Sequence, residues 1–505
     1  MKKIIQNKYV ILFVTALVLA SCGKDFLELE PRGTDLETNF YQNEDELFQA
    51  LVATYDVLQW GGTNGWTMKM GLLNAASDDT YAGGSDASDQ PSWVAFDNFT
   101  LDPFIGPQQG LWNKGYSGIY RANLLLEKIE EVEGLDEEFK ARTIAEAKFL
   151  RGFFYFDLVR FFGSVPLITS TLSADEIYTQ TQASISDVYA QIEQDLNDAR
   201  NTFELPETVS GAELGRITKG AVNALLGKVI LYQNDESRML EAAQLFDEVI
   251  TSGYYDLEDN FEDIFKLANE FGQESVFEIS YSGNHRGGWD NFANGTEGNY
   301  DVQFFGMRDY VGPLYAVGWS FCPVTEKLVE AMQGDPRFEH TIIDGNQLKN
   351  QGATYTEGYQ NTDYFIRKYA GLQEDRALDG EPALNWSYNV REIRFADVYL
   401  MAAEAYARAG GNDGKANGYL NQVRLRVSLQ PVGGLTGQTL LDFIYNERQM
   451  ELATEGHRFF DLVRTGRAVE ELGDQGFTAG KNELLPIPQT EIDITEGNLK
   501  QNPGY

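Results

Sequence analysis

Apolar residues recur at intervals of three and four along most of this chain. Between 137 and 162 the positions Phe139, Leu150, Phe153, Phe154, Leu158 and Phe161 trace one face, the spacing of a helix with a buried stripe. Gly163 and Pro166 follow it, a left-handed stop and then a residue that cannot continue a helix. The same periodicity predicts helices over 44–60, 68–76, 111–132, 186–203, 219–233, 237–252, 391–409, 414–427 and 440–465. Two stretches break the rhythm. Residues 77–109 accumulate Gly, Ser, Asp and Pro, and residues 282–321 are dense in Gly and aromatic side chains. Long segments without periodicity are uncommon in compact domains unless they carry function. The fold class expected is therefore mainly α, with two irregular segments set into a helical body.

Some helices read as hairpins. Leu400, Ala403, Ala407, Gly411, Ala416, Leu420 and Val423 place small and apolar residues where a tetratricopeptide unit needs close helix approach, and 219–252 matches more loosely around Gly227 and Phe246. Any antiparallel helix pair would share most of this spacing.

The first residues read as an address. Lys2, Lys3 and Lys8 precede an eleven-residue apolar run from Val10 to Ala20, too short to span a bilayer, which takes roughly 20 residues. The run ends in Leu19-Ala20-Ser21-Cys22, which resembles the lipobox of bacterial lipoproteins, where cleavage precedes a lipidated cysteine. An ordinary secretory signal with a chance cysteine is the alternative. Cleavage there would leave Cys322 as the only other cysteine, so no intramolecular disulfide is expected. Cys322 itself reads as a small buried apolar residue.

Composition narrows the chemistry. The 505 residues are 43% hydrophobic and carry a net charge of −37, which becomes −40 once the three leader lysines are lost. Such a chain has the material for a large core, and its charge argues against binding nucleic acid or anionic lipid. No H-E-x-x-H, G-x-S-x-G, Walker A or paired C-x-x-C motif is present.

Several segments, in order, resemble the SusD/RagB family of outer-surface lipoproteins. They are Asp25-Phe26-Leu27-Glu28 with Pro31; Glu146 to Arg151 continuing through Asp157 to Gly163 and Val165-Pro166-Leu167; Glu447-Arg448, Glu451-Leu452, Glu455 to Phe459 and Asp461 to Arg464; and Leu485 to Pro488 with the ending Gln501 to Tyr505. The resemblance implies one mostly helical unit over 41–505 behind a leader (1–21) and a tether (22–40), with tetratricopeptide-like hairpins at about 137–252 and 391–427 as scaffold. It implies glycan binding without catalysis, lipid anchoring at Cys22 on the cell surface, and a SusC-like TonB-dependent β-barrel as partner. A surface glycoside hydrolase or lyase and a protein-binding scaffold are the competing functions.

The motif residues do not suit catalysis. Glu447, Glu451 and Glu455 are spaced to share a helix face, whereas a glycosidase needs two carboxylates facing each other roughly 5–9.5 Å apart. With Arg448, Arg458 and Arg464 nearby, ion pairing is the simpler reading. His457, between Gly456 and Arg458, reads as a buried hydrogen-bonding residue.

What remains is sugar capture. A pyranose has an apolar C–H face for an aromatic ring and a hydroxyl rim for polar groups. The irregular segments supply candidates: Trp93, Trp289 and Trp319 as stacking rings, Asp78 and Asn291 as hydroxyl partners, and Tyr81, Arg308 and Tyr315 beside them. Core packing is the competing role for each tryptophan. Trp60 and Trp112, at the ends of helices, read as structural, and Trp66 and Trp386 are undecided. No cofactor is expected; Asp86 and Asp89 are sparse ligands for a structural Ca²⁺. The acidic balance favours a neutral polymer, a β-glucan or α-glucan, over a polyanion.

Overall fold

The computed structural model describes residues 40–61, 65–283, 288–289 and 297–505. The leader, Cys22, nearly all of the tether and Asn291 lie outside the described residues. About half of the chain is helical, and strands are few, as the periodicity predicts. None of the described helices is long and apolar enough to cross a membrane.

Local chemistry sets most boundaries. The longest helix, Glu137–Phe162, starts where the Asp136 side chain accepts from the Glu138 and Phe139 amides, and ends at Gly163, with φ of 69°. Asn43, Ser184 and Thr218 cap Glu44–Asp56, Ile185–Arg200 and Lys219–Tyr232 in the same way. Glu137–Phe162 packs between Gln108–Glu131 and Ile185–Arg200, while Met239–Thr251 bridges Lys219–Tyr232 and Phe395–Arg408, which in turn packs on Asp413–Arg426. Stacked helix pairs of this kind bury a continuous core between neighbours. Phe149, Leu150 and Phe154 from the longest helix and Leu400, Ala403 and Leu420 from the C-terminal pair belong to that core.

Four expectations change. Residues 390–394 form a strand, Val390–Arg394 (β4), paired antiparallel with Ser275–Ile279 (β1), so the helix expected from 391 begins at Phe395. The helix expected over 440–465 is two, Gly437–Leu452 and Arg458–Arg464, parted at Thr454 and Gly456, both with positive φ. Each irregular segment also holds a short helix, Pro91–Asp97 and Tyr300–Phe305. A second small sheet pairs Ile342–Asp344 (β2) with Tyr364–Ile366 (β3).

The C-terminal charges form a buried lattice whose partners come from other elements. Glu451 accepts from Arg337 at 2.9 Å, from Arg394 at 2.6 Å and from Arg426, and Glu455 is paired with Lys368 and Arg394. Arg394 continues to Glu274 at 2.7 Å, tying β4, β1 and Gly437–Leu452 together. Arg448 reaches Asp397 and Asp461, and Arg464 reaches Glu404 as well as its near neighbour Asp461. Burial, with Lys228 close by, pulls the His457 imidazole down to about 4, so it is neutral at physiological pH. Cys322 is fully buried.

The candidate glycan-binding platform

The two irregular segments converge. Residues 79–84 run antiparallel to 320–325, with the Tyr81 amide donating to the Pro323 carbonyl, Cys322 to Ala82, and Gly84 to Ser320. On one side of this seam three indoles meet. Trp289 and Trp319 stack with centroids 6.0 Å apart and planes 25° off parallel, and Trp66 stands edge-on to both, 6.4 and 5.7 Å away. Trp289 is 49% exposed, while Trp66 and Trp319 are half-buried. Tyr300 and Phe304 support Trp66 at 5.5 and 5.3 Å from the helix Tyr300–Phe305.

The backbone here is held in conformations that side chains rarely adopt. Trp66 has φ of 59°, and Asp309, Ser320 and Cys322 have φ between 51° and 59°, positions that persist only where the surroundings impose them. One such restraint is visible. The buried Trp93 donates its indole N–H to the Trp66 carbonyl at 2.9 Å and packs on Phe304 and Phe321. Gly71 allows this fit, since a Cβ there would fall 2.5 Å from both the Trp93 ring and the Asp301 carboxylate. Burial raises Asp301 to about 7, partly offset by a Gly71 amide bond.

Polar groups border the rings. Trp289 donates its indole N–H to Glu381 at 3.1 Å. Arg308, half-buried, donates to the Trp319 carbonyl at 2.9 Å and is paired with Asp89 at 3.3 Å, so its guanidinium links the two irregular segments. Asp86 and Asp89 accept from the Ser85 and Ser88 groups of their own loop.

Of the residues expected at the site, the structure brings Trp289, Trp319 and Arg308 together. Four are placed elsewhere. Trp93 is fully buried and forms the floor, not an open ring; Pro91 starts a short helix whose apolar run, Trp93 to Phe96, turns inward. Asp78 is buried too. Burial pushes its carboxyl up, but Arg458, bonded to both oxygens, and Lys327 hold it below the usual carboxylate range. It locks the chain to Arg458–Arg464 and has no free oxygen for a sugar. Tyr315 is 4% exposed, with its hydroxyl accepting from Arg367. Tyr81 is half-buried, its phenol raised by burial and by Glu326, and its ring is not among those touching the three indoles. Asn291 lies outside the described residues.

Trp66 completes the platform although its role was open in the sequence. Its signal in the sequence was the turn pair Asn64-Gly65 just before it.

Comparison with known proteins decides the family. Residues 273–505 match the model described as the SusD family, and residues 25–231 match "Starch-binding associating with outer membrane". A solved laminarin-binding SusD-like protein is 43% identical, covering 92% of this chain and 100% of its own, with a TM-score of 0.85. The chain belongs to the SusD family. Another member with a solved structure, surface glycan-binding protein A from Bacteroides thetaiotaomicron in complex with laminarihexaose, is 28% identical over 91% of this chain and 100% of its own, at a TM-score of 0.83. A SusD-like protein of Bacteroides ovatus is 26% identical over 92% of this chain and 83% of its own length. The solved relatives share the overall fold over more than nine-tenths of this chain.

Proposed function

We propose that this SusD-family protein is a non-catalytic, lipid-anchored receptor at the cell surface that captures a neutral glucan, a β-glucan foremost, on Trp66, Trp289 and Trp319, and hands it to a TonB-dependent β-barrel. The observation that carries the reading is the convergence of three indoles, one half exposed, over a rigid buried floor. Two nearly parallel rings and one edge-on ring form a bent surface, which suits a polymer that curves past the protein. Arg308 and Glu381 stand beside it to meet hydroxyl groups. The carboxylates at the rim, Glu381 and Asp89, are each engaged by a side chain that shapes the platform, which favours holding over cutting. The names of the solved relatives that bind laminarin or laminarihexaose support the β-glucan choice, and the net charge of −37 weighs against polyanions.

Native gels cast with laminarin, starch, xylan and alginate test this. Retardation by laminarin without released reducing ends is expected, and Trp289→Ala should abolish it with the melting temperature unchanged. Released reducing ends, or retardation indifferent to Trp289→Ala and Trp319→Ala, would overturn the proposal. Cys22→Ser should move the protein from the membrane fraction to the soluble one.

A further inference from the structure

A second cavity lies elsewhere, between the helix Gln108–Glu131, the segment 166–180 and the C-terminal helix Gln489–Ile494. It measures about 580 Å³, within the roughly 300–1,000 Å³ of small-ligand sites. One wall is a ladder of rings on a single helix face. Trp112, Tyr116 and Tyr120 are four residues apart, so they rise by about 6 Å per step along the axis. The ladder is graded: Trp112 is 4% exposed at the floor, Tyr116 is half-buried, and Tyr120 at the mouth is 50% exposed. Trp60 closes one end, with its indole N–H on Asp56 at 3.0 Å and the Arg121 guanidinium 4.8 Å over its ring. Ile177, Ile494 and Leu499 face the ladder across the cavity.

The polar lining says what would fit. Every charged group is already engaged: Lys114 donates to the Leu58 and Trp60 carbonyls at 2.8 and 2.9 Å, Arg121 is paired with Asp56 at 3.0 Å, and Glu491 accepts from Gln109 at 2.9 Å. Arg121 is neutralised by Asp56, and Lys114 and Glu491 are of opposite sign, so the lining offers an ionic ligand no net countercharge. By contrast the Ser117 and Tyr120 hydroxyls and the Asn113 amide N–H groups have no hydrogen-bond partner among the described residues. Neutral donors and acceptors beside aromatic faces are the complement of a short, uncharged carbohydrate.

We infer that this cavity is a second carbohydrate site, taking a neutral oligosaccharide of a few residues. The ligand class rests on the glycan-binding reading of the protein. The location does not, since Thr67 and Trp60 line the cavity while Trp66, between them, belongs to the platform. The two sites therefore adjoin at Trp66 and Thr67, and the Thr67 amide donates to the Gly61 carbonyl at 2.7 Å.

Saturation-transfer NMR of the mature chain with laminaritriose, maltotriose, cellotriose and xylotriose separates the sites, these probes being short. The Trp289→Ala/Trp319→Ala double variant should retain transfer from at least one trisaccharide. Adding Tyr120→Ala, or Ser117→Trp to fill the cavity, should cut that residual signal at least fivefold, with melting temperatures showing that each variant is folded. A wild type that takes none of the four refutes the glycan reading and this site with it. A wild type that binds while the double variant does not refutes the cavity site alone. Residual transfer that both cavity variants leave unchanged also refutes it, and would leave the cavity to an apolar anchor of a protein partner.

Discussion

The buried charge lattice and the indole platform are built on opposite terms. In the lattice each carboxylate is specified by several cations from distant segments: Glu451 alone meets Arg337, Arg394 and Arg426. In the platform the rings touch one another and the supporting Tyr300 and Phe304, with Trp66 held in a left-handed backbone conformation and pinned from below by Trp93. Desolvated charges must be matched almost completely or they destabilise the fold, so little variation is tolerated there. A half-exposed ring needs only a firm seat. The motifs by which the family can be recognised, around Glu447 to Arg464, accordingly mark the lattice and not the indole platform.

This division makes distinct predictions. The largest effect should come from breaking the lattice. Glu451→Gln leaves three guanidinium groups partly unpaired and should cost about 3–5 kcal/mol, seen as a lower urea midpoint, whereas glycan retardation measured below that midpoint stays unchanged. Trp93→Ala should cost a similar 3–5 kcal/mol through the cavity it leaves; unlike the lattice variant it should also weaken binding, because the seat of Trp66 goes with it. Trp289→Ala should do the reverse. A loss of about 2 kcal/mol in affinity, roughly 30-fold, is expected for a central anchor, with the urea midpoint unmoved. If Glu451→Gln and Trp289→Ala each shift both readouts, the separation of the two regions fails.

Acid supplies a finer test. His457 is held neutral in the folded protein, at about 4 against 6.5 for the unconstrained group. The unfolded chain therefore binds its proton first, and stability falls as pH drops from about 6.5 towards 4. The contribution is at most about 3.5 kcal/mol, at roughly 1.4 kcal/mol per unit. His457→Gln should flatten that part of the pH–stability curve. Asp301, raised by burial to about 7, has the opposite sign: stability is lost as pH rises from about 4 to 7. Asp301→Asn should therefore raise the melting temperature at pH 8 by a few degrees and leave it nearly unchanged at pH 4.

Helix positions were legible where a stripe and a cap agree, as at 137–162, because both signals are local. The strand at Val390–Arg394 was not, since its reason is a partner more than a hundred residues away in Ser275–Ile279. In the candidate platform, the aromatic density of 282–321 singled out Trp289 and Trp319, which the structure stacks on each other. Trp93 misled because an irregular composition hid a short inward helix. Asp78 misled because its partner Arg458 lies 380 positions on. Exposure is a property of what the chain folds against, and a list of residue types does not contain it.

Trp93 grips the main-chain oxygen of residue 66 and leaves the side chain there out of the bargain. The fastening would survive a change of side chain at that position. The outer ring can therefore be exchanged while the mounting beneath it stays in place, so the face of the platform is separable from its frame.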